Sequence, residues 1–419
     1  NGLLTGTWVR VPQTTLDFKA EKAYILYDKK SRPIKNHIVN YLGGEHIVNT
    51  KYDFSDKVLL TRSFSNRMQN VAYTEVLDEF SYSPQGRLTY HFHTVNGGTK
   101  QLLAFNQYDE LGQLINKKVG GTDLTGNNAL QSVNYTYNIR GWLKGINNVE
   151  NLSNENDPID LFAFKINYDI VENEDNYEGQ SLYNGNISET YWRTSSDNIK
   201  RKYGYFYDQM NRLNNAVYQK PGGAIPVPNS YNESLSYDKN GNITSLTRNG
   251  NMDSDTSYFP AQSIDNMEYI YSQNSNQLLK VNDLTGDING FKDGENTGDD
   301  YTYDTFGNMT SDKNKGIEEI RYNHLNLPTF INFGSLGTIE YLYTVTGQKM
   351  LKRVTQGVTS TTTDYLYGFQ YLDYVIKFFT HAEGYVNVIG GKYNSIIYDY
   401  VFNYTDHLGN IRLSYGFDN

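Results

Sequence analysis

The chain has 419 residues, no cysteine and a formal net charge of −10. That composition excludes disulfides and thiolate metal sites, and it lacks the cationic footprint with which proteins hold nucleic acid. A single packed core stops growing at roughly 250–300 residues, so a chain of this length divides into domains or is a repeat structure.

Hydrophobic residues make up 38% of the sequence and include 38 tyrosines, which leaves few aliphatic side chains for a solid core. A tyrosine ring packs as a hydrophobe while its hydroxyl needs water or a partner, so tyrosine-rich strands suit a wall that is wet on one side. No run of eighteen apolar residues predicts a membrane-spanning helix, and Asn1-Gly2-Leu3-Leu4 does not open a signal peptide. Because position 1 is not Met, the chain reads as an internal piece of a longer protein, so the lack of a signal-peptide pattern here leaves a leader upstream open.

In chain order, residues 1–80 hold loose versions of a short unit. Tyr27-Asp28 is followed by Ser31, and Tyr52-Asp53 by Asp56, with a Gly43-Gly44 turn between extended segments. From 80 to 370 the unit is regular, interrupted by loop insertions. An aromatic ends a strand and a turn residue follows four positions later: Tyr82 to Gly86, Tyr108 to Gly112, Tyr137 to Gly141, Tyr207 to Asn211, Tyr237 to Gly241, Tyr303 to Gly307, Tyr322 to Asn326 and Tyr343 to Gly347. Gly and Asn take the positive φ that a tight hairpin demands. Asp109, Asp208, Asp238 and Asp304 directly follow their tyrosines, where a short carboxylate accepts backbone N–H groups inside the turn. Leu88, Leu114, Leu143, Leu213, Ile243 and Met309 restart the strand.

Between Asn147 and Asn198 the pattern loosens into polar sequence around one predicted strand, Leu161 to Tyr168, with a further unit at Tyr183-Asn184-Gly185 ahead of Trp192. Pro221 to Pro228 breaks the pattern, because proline cannot donate to a ladder. Units return at Tyr237 and around Tyr269 and Tyr271, and residues 371–419 alternate Tyr, Val, Ile and Phe. No amphipathic helix of useful length is present, so the expected class is all-β with no substantial helix.

This Tyr-Asp turn repeat resembles the YD repeats of bacterial RHS proteins, and the likeness runs over most of the chain. Thr405-Asp406-His407-Leu408-Gly409-Asn410 is similar to the opening of the RHS-associated core. The resemblance implies a spiral of β-hairpins forming a hollow shell, or cocoon, with residues 1–419 as one continuous shell segment and 371–419 as the start of the core region. It also implies a secreted or cell-surface bacterial protein whose shell encapsulates or escorts a C-terminal toxin or effector, with secretion machinery as a further partner. The family's later Asp-Pro-x-Gly motif and cleavage aspartates do not occur here, so no autoprotease or toxin residue is carried over. The expectation is a container wall, incomplete at its C-terminal end, and not an enzyme. A cell-surface adhesin or carbohydrate-binding repeat protein is the alternative, and a polysaccharide hydrolase with two facing carboxylates a third.

Few residues suggest chemistry. Asp283, Asp287, Asn289, Asp293 and Glu295 concentrate hard oxygens among glycines, the ligand type calcium needs, but with no EF-hand spacing; a solvated acidic loop is the competing reading. His91 and His93 share a strand face on what reads as a half-exposed strand, where zinc would need a third ligand that the sequence does not name. Asp406-His407 invites a catalytic reading, yet no nucleophile can be placed beside it, and the resemblance makes Asp406, His407, Gly409 and Asn410 a turn signature. Neither phosphate-cradling motif is present. Trp8, Trp142 and Trp192 are either sugar-stacking platforms or packing between repeats.

Overall fold

A computed structural model describes residues 2–12, 19–153, 158–172, 180–250, 261–294, 297–390 and 396–417. Among them the regular structure is antiparallel β, with two 3₁₀ turns, Lys313–Lys315 and Gly334–Leu336, and no α-helix. The all-β expectation is met. The chain forms two compact units, residues 1–134 with 322–330 and 336–419, and residues 135–321 with 331–335.

In the first unit, strands run as a meander from Gly6–Arg10 through Ala20–Tyr27, Pro33–Val39, Glu45–Tyr52 and onward to Leu114–Val119, each paired antiparallel with the next. A second meander in the same unit runs from Thr338–Tyr343 to Ile411–Gly416. The second unit repeats the plan from Leu143–Ile146 to Leu278–Asp283, with a separate hairpin of Tyr301–Tyr303 and Met309–Asp312. Consecutive pairing throughout follows from the short turn in each unit, which returns the strand beside its predecessor before any longer connection can form.

One hairpin explains the unit. The N–H of Asp238 donates to the Asn242 carbonyl at 2.9 Å, and that of Gly241 to the Asp238 carbonyl at 3.2 Å. Asp238 Oδ1 accepts the N–H groups of Asn240 and Asn242, at 2.8 and 2.9 Å, while Oδ2 accepts Asn242 Nδ2. Tyr237 pairs with Ile243, but Ser236 pairs with Ser245, so Thr244 is an extra residue and the hairpin carries a bulge. The same register shift occurs beside Tyr27, Tyr52, Tyr82, Tyr108, Tyr207, Tyr303 and Tyr343. Within residues 1–80, Ser31 and Asp56 take φ of 65° and 68°, the positive-φ conformation that Gly241 holds at 92°.

A Cβ at Gly241 meets nothing within 4 Å, so the requirement there is conformational only. Asn211 and Asn326 already occupy equivalent positions at φ of 62° and 57°. Gly241→Asn should therefore change stability by less than about 1 kcal/mol, whereas Gly241→Val should cost about 1–3 kcal/mol, because a β-branched residue is strained at positive φ. Urea denaturation of the two variants measures the difference, and equal losses would mean that space, not φ, selects the glycine.

The core is unusually polar. Asp265, Asp300, Asp364, Glu189, Lys202 and Lys220 are all at most 1% exposed. Buried charge needs partners or water, and Asp364, Glu189 and Asp265 find theirs in Arg67, Lys202 and Arg248.

Candidate functional site

The tyrosine of each unit does more than end a strand. In eight units the hydroxyl crosses to the unit before it and donates to a backbone carbonyl at or just ahead of the start of the strand there. Tyr52 reaches Pro33, Tyr82 reaches Val58 and Tyr108 reaches Leu88, at 2.8–3.0 Å. In the second unit Tyr168 reaches Leu143, Tyr207 reaches Ile187, Tyr237 reaches Leu213, Tyr271 reaches Ile243 and Tyr303 reaches Leu278, at 2.6–3.1 Å. Burial pushes the Tyr207 phenol up to about 12, so the donor keeps its proton at any physiological pH.

A second bridge runs beside the first. Arg32 holds its own Asp28 and donates to the Asp53 carbonyl of the next turn at 2.7 Å, and Arg212 does the same from Asp208 to Asp238 at 2.9 Å. Each guanidinium also lies over the next unit's ring, Arg32 over Tyr52 at 4.9 Å and Arg212 over Tyr237 at 4.7 Å. The side-chain bond from Arg32 holds the Asp28 carboxyl below its ordinary value, and the backbone N–H of Arg212 does so for Asp208. Where Tyr237 is followed by Asn242 instead of a cation, the amide donates to Asn276 Oδ1 at 2.9 Å. The motif is therefore a clasp between neighbours: aspartate shapes the turn, glycine closes it, and tyrosine with the following cation fastens it to the next. Tyr237→Phe removes one such bond and should cost about 1 kcal/mol without altering the fold, a loss measurable by denaturant titration.

In the first unit, side chains join strands that are distant in sequence. Arg67 Nε donates to Asp364 Oδ2 at 2.6 Å, and the Tyr41 hydroxyl donates to the same carboxylate at 3.3 Å. His93 Nδ1 lies 2.7 Å from the Tyr400 hydroxyl, Tyr404 donates to Gln131, and Tyr367 donates to Glu21. His46 stacks on Tyr367 with ring centroids 4.7 Å apart, and the His381 ring lies 5.9 Å from that of His93. Desolvation lowers His46 and His93 to about 4 and His381 to about 3, so all three imidazoles are neutral.

The residues singled out from the sequence fall as follows. Tyr108, Asp109 and Gly112, Tyr207 and Asp208, Tyr237, Asp238 and Gly241, and Tyr303, Asp304 and Gly307 all stand in the turn geometry described. Asp406 is committed to its own turn: Oδ1 accepts the N–H groups of Leu408 and Asn410, and Oδ2 accepts Asn410 Nδ2 and Arg412 Nε. Its carboxylate thus orients the turn and Arg412, with Gly409 at φ 82°. His91 and His93 are buried, contrary to the half-exposed strand expected, because a second meander covers that face; His91 Nε2 lies 2.8 Å from Asp78 Oδ1.

The acidic loop spreads its ligand candidates. Asp283 Oδ1 accepts the N–H groups of Asn266 and Thr285, Asp287 Oδ1 accepts that of Asn289, and Asp293 Oδ2 accepts that of Asp283. Glu295 lies outside the described residues. No group of three or more His, Asp or Glu among the described residues is arranged to hold a metal ion. Trp192 stacks on Tyr203 at 5.6 Å, Trp142 tilts against Tyr168 at 5.2 Å, and Trp8 is 55% exposed.

The sequence reading missed the most buried site. In the second unit Lys202 pairs with Glu189, both fully buried, and Glu189 Oε2 also accepts Asn167 Nδ2 at 2.9 Å and the Glu172 N–H at 3.0 Å. Glu189 stands two residues from Tyr191 and so shares its strand face, but only the structure shows that the ring on that face is fully buried.

No family model matches the chain, and no curated protein does. Among solved structures it is similar to a chain of TcdB2-TccC3-Cdc42, with a TM-score of 0.56 and 15% identity over 96% of this chain and 22% of that one. A chain of TcdB2-TccC3-TEV aligns with a TM-score of 0.39 and 13% identity over 96% of this chain and 23% of that one. The chain thus spans about a fifth of the length of the chains it matches, and the first match shows that it has the fold of that part of TcdB2-TccC3-Cdc42.

Proposed function

We propose that the chain is a wall segment of a bacterial RHS-type container, a YD-repeat shell that encloses or escorts a protein cargo during export, and that its own role is structural. The observation that carries this reading is the clasp. Eight units are fastened to their predecessors by a tyrosine hydroxyl and, at the turns of Asp28 and Asp208, by a cation as well, which is how a long wall holds together with few aliphatic residues. Deeply buried charge supports it, since a curved wall around a wet interior tolerates such groups where a dense core does not. The fold shared with TcdB2-TccC3-Cdc42 supports it further, because that name joins the fold to additional protein. On this reading the cargo is a C-terminal effector, the protein is exported to the medium or the cell surface, and secretion machinery is a transient partner.

The test is limited proteolysis of the full open reading frame that contains these residues. A container predicts that the sequence downstream of Asn419 resists protease while joined to the shell and is digested when expressed alone. Equal digestion in both settings, together with retention on the cell surface, would favour the adhesin instead.

A further inference from the structure

One repeat departs from the rule. After Tyr168-Asp169 the chain does not turn back within the usual six residues; the partner strand begins only at Glu189. Among the described residues of this excursion, the Leu182 N–H donates to the Tyr168 carbonyl at 3.1 Å and the Ser188 N–H to the Asn167 carbonyl at 2.8 Å. Gly185 lies against the preceding turn, so near Trp142 that a Cβ would stand 3.1 Å from the indole. Tyr183, which the sequence offered as a repeat tyrosine, makes no clasp; Tyr168 takes that role, and Tyr183 stands 80% exposed.

Between the excursion and the turn lies a cavity of about 460 Å³ whose lining includes Arg140, Trp142, Lys144, Asp169 and Tyr183. That volume falls within the roughly 300–1,000 Å³ of small-ligand sites. We propose that it binds a saccharide bearing a carboxylate, of the hexuronic acid type. Tyr183 offers an open ring to the C–H face of a sugar, while Asp169 faces hydroxyls. Arg140, held 5.2 Å over the Trp142 ring, and Lys144 supply two cations against one carboxylate. A purely apolar ligand would strip water from three charged groups and return nothing. Within the site two cations outnumber the single carboxylate of Asp169, so the local charge admits an anionic sugar although the chain as a whole carries −10. The site belongs to the second unit alone and is independent of whether the chain encloses cargo.

The experiment titrates the full chain with tetragalacturonate, and with maltotetraose as the neutral control, following tryptophan fluorescence and heat. Saturable binding of the uronate is expected, at least tenfold weaker for maltotetraose and at least tenfold weaker in Tyr183→Ala and Arg140→Ala. Both residues are away from the buried core, and unchanged melting and near-ultraviolet dichroism establish that the variants fold. The proposal is overturned by absence of saturable binding, by equal affinity for the neutral tetramer, or by binding that both variants retain.

Discussion

Glu189→Ala should be the most damaging single substitution in the second unit, costing about 3–5 kcal/mol, because it leaves the Lys202 ammonium buried without its counter-charge. The pair sits on three adjacent strands: Asn167 is opposite Glu189, and Lys202 is opposite Tyr191. Lys202 also donates to the Glu172 carbonyl at 3.2 Å and lies 5.4 Å over the Tyr191 ring. The double variant Glu189→Met with Lys202→Met removes both charges and should lose less than Glu189→Ala alone, although the Glu172 N–H then loses its acceptor and the Asn167 amide keeps only Glu172 Oε1. Urea denaturation of the single and double variants checks the order. A loss under about 1 kcal/mol in the single variant would mean that water reaches the lysine and that this face of the sheet is wet.

Acid should loosen the first unit well before it protonates the turn aspartates. In the unfolded chain His46, His93 and His381 bind protons below about pH 6.5. Folded, burial keeps His46 and His93 neutral down to about 4 and His381 to about 3. As pH falls through this window the unfolded state takes up protons that the folded state refuses, so stability is complete above about 6.5 and declines below it. At pH 5 the loss is about 1–2 kcal/mol per histidine, and not additive, since His93 and His381 lie near each other and near His91. Asp78, against His91, opposes part of this effect by favouring the charged forms. Melting temperatures from pH 7.5 to 5 should fall for the native chain and fall less for His46→Gln and His93→Gln. Parallel curves for all three proteins would remove the histidines as the cause.

Both predictions rest on side chains whose importance was invisible in linear order. Lys202 stands in Arg201-Lys202-Tyr203 and reads as a solvated strand cation, and His93 reads as half of a surface pair. Lys202 is enclosed by Glu189 and Tyr191 of the neighbouring strand and the Glu172 carbonyl, and His93 by a strand that carries Tyr400, 307 positions away. Tyr183 shows the converse. It fits the local pattern of a repeat tyrosine, yet Tyr168 already occupies the clasp, so the spacing alone chose the wrong residue.

The turn chemistry was legible because it is local. An aspartate that caps its own turn, a residue able to hold positive φ three positions later and a hydrophobic restart all lie within seven residues, and they specify a hairpin whatever surrounds them. The sequence alone therefore determined that the described residues are a succession of antiparallel hairpins without α-helices. Only the tertiary structure decided where each tyrosine hydroxyl is satisfied, which charges are buried, and which histidines are kept neutral. Those outcomes depend on desolvation by residues twenty to three hundred positions away, and desolvation is a property of the assembled sheets that no local spacing encodes.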